Sequence, residues 1–167
     1  MAIKLNNKEN MLMQDQKANE ELCIQKYQSY SNQAQDPQLK QLFSNINKKE
    51  QEHLNTVNQI ISGQVPNMQQ NAMSGQQSQQ NQQNSAQNST ANQNQQNKSQ
   101  NTNQNDKTMC TDMLSTEKFV SGAYDTAIFE CVDPNVRQTL NHIQKEEQEH
   151  GEQIFNYMKC NGMYNPQ

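Results

Sequence analysis

Two residue pairs carry recognisable chemistry: Glu50 with His53 and Glu147 with His150, each spaced Glu-x-x-His. Residues three apart on a helix share a face, so each pair aims a carboxylate and an imidazole in one direction. Both pairs interrupt an apolar series. Leu39, Phe43, Ile46, Val57 and Ile60 recur at helical spacing, and Glu50 and His53 fill the gap among them. Val136, Leu140, Ile143, Ile154 and Tyr157 frame Glu147 and His150 in the same way. Ionisable groups thus sit at core positions, whereas Glu52, Glu146 and Glu149 fall off the stripes and read as solvated charges. One Glu-x-x-His on a polar helix is ordinarily structural; two at matching places on apolar stripes argue for a ligand role.

Two further stretches, read in sevens, each add an inward carboxylate. Met13, Glu20, Tyr27 and Ala34 share one face, as do Cys110, Glu117, Tyr124 and Cys131, while Glu21 and Lys118 flank those faces. Tyr27 and Tyr124 read as core aromatics placed where they can also hydrogen-bond to the ligands. Glu20 lies as far before Asp36 as Glu117 lies before Asp133, and Glu50 and Glu147 lie equally far after them, so hairpin geometry brings all these groups to one level. Two Glu-x-x-His pairs plus two single Glu residues form the ligand set of a dinuclear carboxylate site in a helical bundle. The expected metal ligands are therefore Glu20, Glu50, His53, Glu117, Glu147 and His150, holding two ions of iron or manganese, which suit carboxylate and imidazole donors. Charge supports this, because four buried carboxylates need compensation and no Lys or Arg lies on the second or fourth stripe.

The elements that must position these residues follow from punctuation and periodicity. Asp36-Pro37 and Asp133-Pro134 each place a capping Asp before a Pro suited to the first helical turn. Helices are predicted over about 6–33, 37–62, 108–131 and 134–160. A shift of 97 positions, which carries Asp36 onto Asp133, superimposes the two halves: nine of the 26 positions from 36 to 61 are identical. The same shift carries Asp15 to Asp112, Glu20 to Glu117 and Tyr27 to Tyr124, so the chain is an internal duplication of one helical hairpin. Each hairpin, 1–63 and 108–167, has one apolar stripe and cannot bury it alone, which predicts an all-α four-helix bundle. Between them, residues 64–107 hold 15 Gln and 11 Asn in 44 positions with no aromatic, the composition of a disordered linker. A flexible chain of that length spans roughly 36 Å, enough for a crossover along a helix of roughly 38 Å.

Composition excludes several function classes. The formal net charge of −4 and pI near 5.3 lack the basic footprint of a nucleic-acid binder. No apolar run approaches the roughly 20 residues of a membrane span, and the N-terminal residues lack a secretory apolar region, so synthesis inside the cell is expected. Cys23, Cys110, Cys131 and Cys160 form no C-x-x-C pair, which argues against zinc ribbons and rubredoxin-type iron sites. They read as buried free thiols, with Cys160 near the end open to cross-linking with another chain.

The second block resembles the coat F family of bacterial spore coat proteins. The resemblance is carried by Asp112-Met113-Leu114-Ser115-Thr116-Glu117-Lys118, Ala123-Tyr124, Asp133-Pro134-Asn135-Val136-Arg137-Gln138-Thr139-Leu140 and the ending Phe155 to Tyr164. It implies a ferritin-like helical protein made in the mother cell and deposited in the spore coat as a structural component, with other coat proteins as partners, homo-oligomers an option, and neither nucleic acid nor membrane involved. The ligand pattern alone resembles the wider rubrerythrin and ferritin-like superfamily. That likeness implies iron or manganese chemistry with oxygen or peroxide, the alternative reading being an oxidoreductase. The chain lacks a rubredoxin-type cysteine module, and the Gln/Asn-rich insertion suits a coat protein better than a compact enzyme. That tract reads either as inert spacer or, with Lys98 and Lys107 beside its glutamines, as a transglutaminase substrate.

Overall fold

Apolar stripes broken by Asp-Pro turns should yield helical hairpins, and they do. The computed structural model describes residues 3–64 and 104–164. Within them lie four helices, α1 (Asn7–Gln33), α2 (Pro37–Ile61), α3 (Gln104–Glu130) and α4 (Pro134–Cys160), and no strand. Asp36 Oδ1 accepts the Gln38 N–H at 2.8 Å and Asp133 Oδ1 the Asn135 N–H at 2.7 Å, capping α2 and α4 just ahead of Pro37 and Pro134. Each such cap is worth about 1 kcal/mol. At the other end of α2, Gly63 adopts φ +79°, and Ile3 O would lie 3.0 Å from any Cβ there. That close approach lets Ile3 N–H donate to Gly63 O at 2.8 Å, which ties the N-terminal segment to the end of α2.

The stripes are buried as predicted. Leu39, Phe43, Ile46, Val57 and Ile60 of α2 and Val136, Leu140, Ile143 and Ile154 of α4 are 2% exposed or less. Met13 and Tyr27 on α1 and Ala34 just after it are buried, as are Cys110 and Tyr124 on α3 and Cys131 just after it. One stripe position differs. Met158 closes the α4 series in the core, while Tyr157 is half-buried and donates to Asp36 Oδ2 at 2.7 Å across the bundle. Cys23, Cys110 and Cys131 are buried free thiols and Cys160 is an exposed one.

The hairpins α1–α2 and α3–α4 pack so that α1 lies antiparallel to α3 and α2 antiparallel to α4, as the cross-bundle partners fix. Lys26 Nζ meets Asp112 Oδ2 at 2.7 Å and Tyr30 donates to the same oxygen at 2.8 Å. A reciprocal pair of acidic side chains locks the two ends. Glu9 caps α1 through Asn6, and its other oxygen accepts the Val132 N–H at 2.7 Å in the α3–α4 turn. Its counterpart at the 97-residue shift, Asp106, accepts the Gln35 and Asp36 N–H groups at 3.0 and 3.1 Å in the α1–α2 turn. This accounts for α3 starting at Gln104 and not at 108: Asp106, 2% exposed, belongs to the bundle and not to the polar tract. Residues 65–103 of the predicted linker, with Lys98, fall outside the described residues, as does the question of its order; Lys107 is half-buried on the first turn of α3.

Candidate metal centre

The positions that continue the apolar stripes bring all six predicted residues together. Glu20 comes from α1, Glu50 and His53 from α2, Glu117 from α3, Glu147 and His150 from α4, and none is more than 3% exposed. They form two overlapping groups, Glu20, Glu50, His53 and Glu147, and Glu50, Glu117, Glu147 and His150; within each, one ligand atom per residue lies within 4.8 Å of the others. Glu50 and Glu147 are common to both, so the pseudo-twofold of the duplicated sequence passes between them. The two rings stack with centroids 5.6 Å apart. His53 Nδ1 lies 3.0 Å from Glu147 Oε1, 3.7 Å from Glu50 Oε2 and 3.8 Å from Glu20 Oε2. His150 Nδ1 lies 2.9 Å from Glu50 Oε1 and 3.8 Å from Glu117 Oε2 and Glu147 Oε2.

Much of this buried polarity is unsatisfied. Glu20 Oε2, both Glu50 oxygens, Glu117 Oε2, Glu147 Oε2 and His150 Nδ1 have no hydrogen-bond partner. His150 Nδ1 and Glu50 Oε1, 2.9 Å apart, form an ion pair. Buried orphans cost about 1–3 kcal/mol each, more when charged, and natural interiors rarely keep them without an ion or a function.

Burial and mutual charge set the protonation tendencies within the cluster. Burial, and next the Glu147 charge, raise the Glu20 carboxyl well above the usual range; burial and adjacent Glu147 do the same to Glu117. For Glu50, burial and Glu147 push upward, but the His150 and His53 imidazoles outweigh them and hold the carboxyl low. Glu147, also pushed up by burial, is held further down by His150, His53 and Glu117. Burial disfavours both imidazolium ions, yet Glu146, Glu147 and Glu50 together raise His53, and Glu147 and Glu50 raise His150 to about 9. These directions favour protonated imidazoles beside ionised Glu50 and Glu147, and protonated carboxyls at Glu20 and Glu117.

Three contacts surround the six clustered residues. Tyr124 on α3 donates to Glu20 on α1, and Tyr27 on α1 donates to Glu117 on α3. Each tyrosine thus orients the carboxylate of the opposite hairpin, and burial first and the carboxylates second keep both phenols protonated. The third contact corrects a sequence expectation. Glu146 is not a solvated charge: it is half-buried, with Oε2 2.9 Å from His53 Nε2. The ring nitrogen turned away from the cluster is thereby fixed, an arrangement typical of metal-ligating histidines. The duplication has no equivalent behind His150, because Lys49 stands at the matching position and pairs with Glu52 at 2.8 Å. Glu52 and Glu149 are exposed, as expected.

Among the described residues, no helix is long and apolar enough to cross a membrane. No curated protein and no solved structure matches the chain. The second hairpin does have a counterpart: residues 105–167, which span α4 and nearly all of α3, match the family model of the Coat F domain.

Proposed function

We propose that the chain is a structural component of the bacterial spore coat whose bundle, ferritin-like in its ligand arrangement, holds two ions of iron or manganese. The coat assignment, with other coat proteins as partners, is supported by the Coat F match over the second hairpin. The metal reading is carried by one observation: six buried donor atoms without hydrogen-bond partners, contributed by four helices, belong to residues that fall in two overlapping clusters. Four carboxylates and two imidazoles, with no thiolate among them, fit hard or borderline divalent ions. Glu20 and His53 would hold one ion, Glu117 and His150 the other, and Glu50 and Glu147 both. When bound, such ions supply Lewis-acid and one-electron redox chemistry toward oxygen or peroxide.

The chain's own residues would do the rest. Tyr124 and Tyr27 hold the Glu20 and Glu117 carboxyls, Glu146 fixes the His53 ring, and the apolar layers Phe43, Ile46, Leu140 and Ile143 keep bulk water away. The test combines elemental analysis of protein purified without added metal, melting with and without a chelator, and detection of the protein in extracted spore coats. Two ions per chain, a melting temperature lowered by chelation and presence in the coat fraction are expected. Failure to take up iron or manganese on reconstitution removes the metal reading, and absence from the coat fraction removes the coat reading.

A further inference from the structure

The outward faces of the four helices differ in kind. Among the described residues, every large hydrophobic side chain exposed on a helix belongs to α1 or α3: Met11 and Leu22 on the first, 70% and 51% exposed, Phe119 and Phe129 on the second, 67% and 82%. They lie on two outward stripes at helical spacing, Met11, Gln14, Ala18, Leu22, Gln25 and Ser29 on α1 and Ser115, Phe119, Gly122, Thr126 and Phe129 on α3. All of these positions are exposed and none is charged. The outward positions of α2 and α4 carry Lys48, Glu52, Lys145, Glu149 and Glu152 instead, exposed as well. The bundle thus has a charged face on α2 and α4 and an uncharged, partly apolar one on α1 and α3.

Size and charge say what fits that face. Two helices of 27 residues, each roughly 40 Å long and 10 Å across, present roughly 800 Å². A stable interface takes about that area, 800 Å², from each partner. Most charges bordering the face are paired within the chain: Lys8 with Glu130 at 2.6 Å, Lys17 with Glu21 at 3.9 Å and Lys26 with Asp112 at 2.7 Å. Among the described residues, Asp15, Lys118 and Asp125, all exposed, have no ion-pair partner. Asp15 stands on the α3 side of α1, since its counterpart under the 97-residue shift, Asp112, meets Lys26 and Tyr30 of α1. The midpoint between Asp15 and Lys26 falls beside Glu20, and that between Lys118 and Asp125 beside Gly122. Glu20 accepts from Tyr124, half a turn from Gly122, so both midpoints lie at one level of the bundle. A single twofold axis perpendicular to the helices at that level brings each acid to a lysine of a second copy. Lys26 bonds Asp112 and Thr116 and has a third N–H to give. Gly122 marks the same level. It lies inside α3 without positive φ, where glycine weakens a helix, and a Cβ there would meet nothing within 4 Å. The chain's own packing therefore has no use for it, whereas a helix crossing at that point can approach closely.

We propose that the α1–α3 face binds a second copy of the chain about a twofold axis perpendicular to the helices, with α1 antiparallel to α1 and α3 antiparallel to α3 of the other copy. Phe119 of each copy falls between Gly122 and Thr126 of the other, and Leu22 is covered alongside. Lys118 pairs with Asp125 of the other copy, and Asp15 with Lys26 of the other copy. The charged α2–α4 faces point away to solvent. None of the six clustered residues takes part, so the interface stands apart from the metal reading.

The test is analytical ultracentrifugation of the full chain at roughly 100 μM, well above the micromolar dissociation constant at the weak end for an interface of this size. A reductant is present so that the exposed Cys160 cannot cross-link. A species of twice 19.2 kDa is expected. Phe119→Glu, at an exposed position, should weaken association by at least about thirtyfold with circular dichroism unchanged, and Gly122→Leu should weaken it too. Lys118→Glu and Asp125→Lys should each weaken association and the double variant restore it, because pairing across a twofold axis tolerates the exchange. Lys145→Glu, on the opposite face, should leave association unchanged. A monomer at that concentration overturns the proposal even if another coat protein binds the face. So does a dimer untouched by Phe119→Glu and Gly122→Leu, or a double variant no tighter than either single one.

Discussion

Replacing Asp106 with alanine should destabilise the whole bundle, although the residue lies in sequence beside a Gln/Asn tract. Its two carboxylate oxygens accept the Gln35 and Asp36 N–H groups at 3.0 and 3.1 Å and join the first turn of α3 to the α1–α2 turn. Hydrogen bonds to a charged partner contribute about 1.5–3 kcal/mol each. The Gln35 residue is exposed and Asp36 half-buried, so water can partly replace the lost acceptor, which sets the expectation at the low end, about 2–4 kcal/mol in total. For a chain of this size that corresponds to a melting temperature lowered by roughly 5–15 °C. The assay is thermal and urea denaturation of the full chain followed by far-ultraviolet circular dichroism, kept metal-free because a bound ion would add its own stabilisation. Asp106→Asn keeps one carbonyl acceptor and should fall between wild type and Asp106→Ala. Glu9→Ala removes the equivalent link to Val132 at the opposite end, and the two losses should add within about 0.5 kcal/mol because the sites share no partner. A loss below about 0.5 kcal/mol for Asp106→Ala would refute the reasoning and with it the docking of α3 onto the first hairpin at this point.

Three further outcomes follow from the site. Loading two divalent ions near neutral pH should release about four protons, two from the imidazolium ions and two from Glu20 and Glu117. Because protons compete with metal, affinity should rise with pH until His150 loses its proton near 9; calorimetry in buffers of different ionisation enthalpy measures the release, and fewer than about one proton contradicts it. Glu146→Gln should leave the stoichiometry at two but loosen the ion on the His53 side by about 10–100-fold, read by competition with a chelator. Gly151→Ala should raise stability by about 0.5–1 kcal/mol in urea titration, since its Cβ meets only ordinary contacts; a loss would mean that Gly151 is needed for packing.

The helices and the six clustered residues were legible because a period of three and four places buried positions by simple geometry, and because a duplication states the same pattern twice. Glu50 and His53 betrayed themselves by interrupting Leu39, Phe43, Ile46, Val57 and Ile60. The contacts that were not legible depend on which helix faces which. Tyr27 lies on the helix of Glu20 yet serves Glu117, a consequence of α1 packing antiparallel to α3 that no spacing within one helix encodes. Glu146 sits beside the stripe, on the flank of α4 that meets α2, where the other half has Lys49; only the docked pair reveals its hold on His53. Asp106 was hidden by the composition of its neighbours, although carrying the 97-residue shift back to Glu9 would have exposed it.

Anomalous diffraction from crystals of the full chain grown with iron or manganese, recorded above and below the absorption edge of the metal, tests the central claim most directly. Two peaks per chain are predicted inside the cluster, one beside Glu20 and His53 and the other beside Glu117 and His150, with Glu50 and Glu147 adjacent to both. An ordered bundle with no peak among these six residues, or with metal only at the surface, would contradict it.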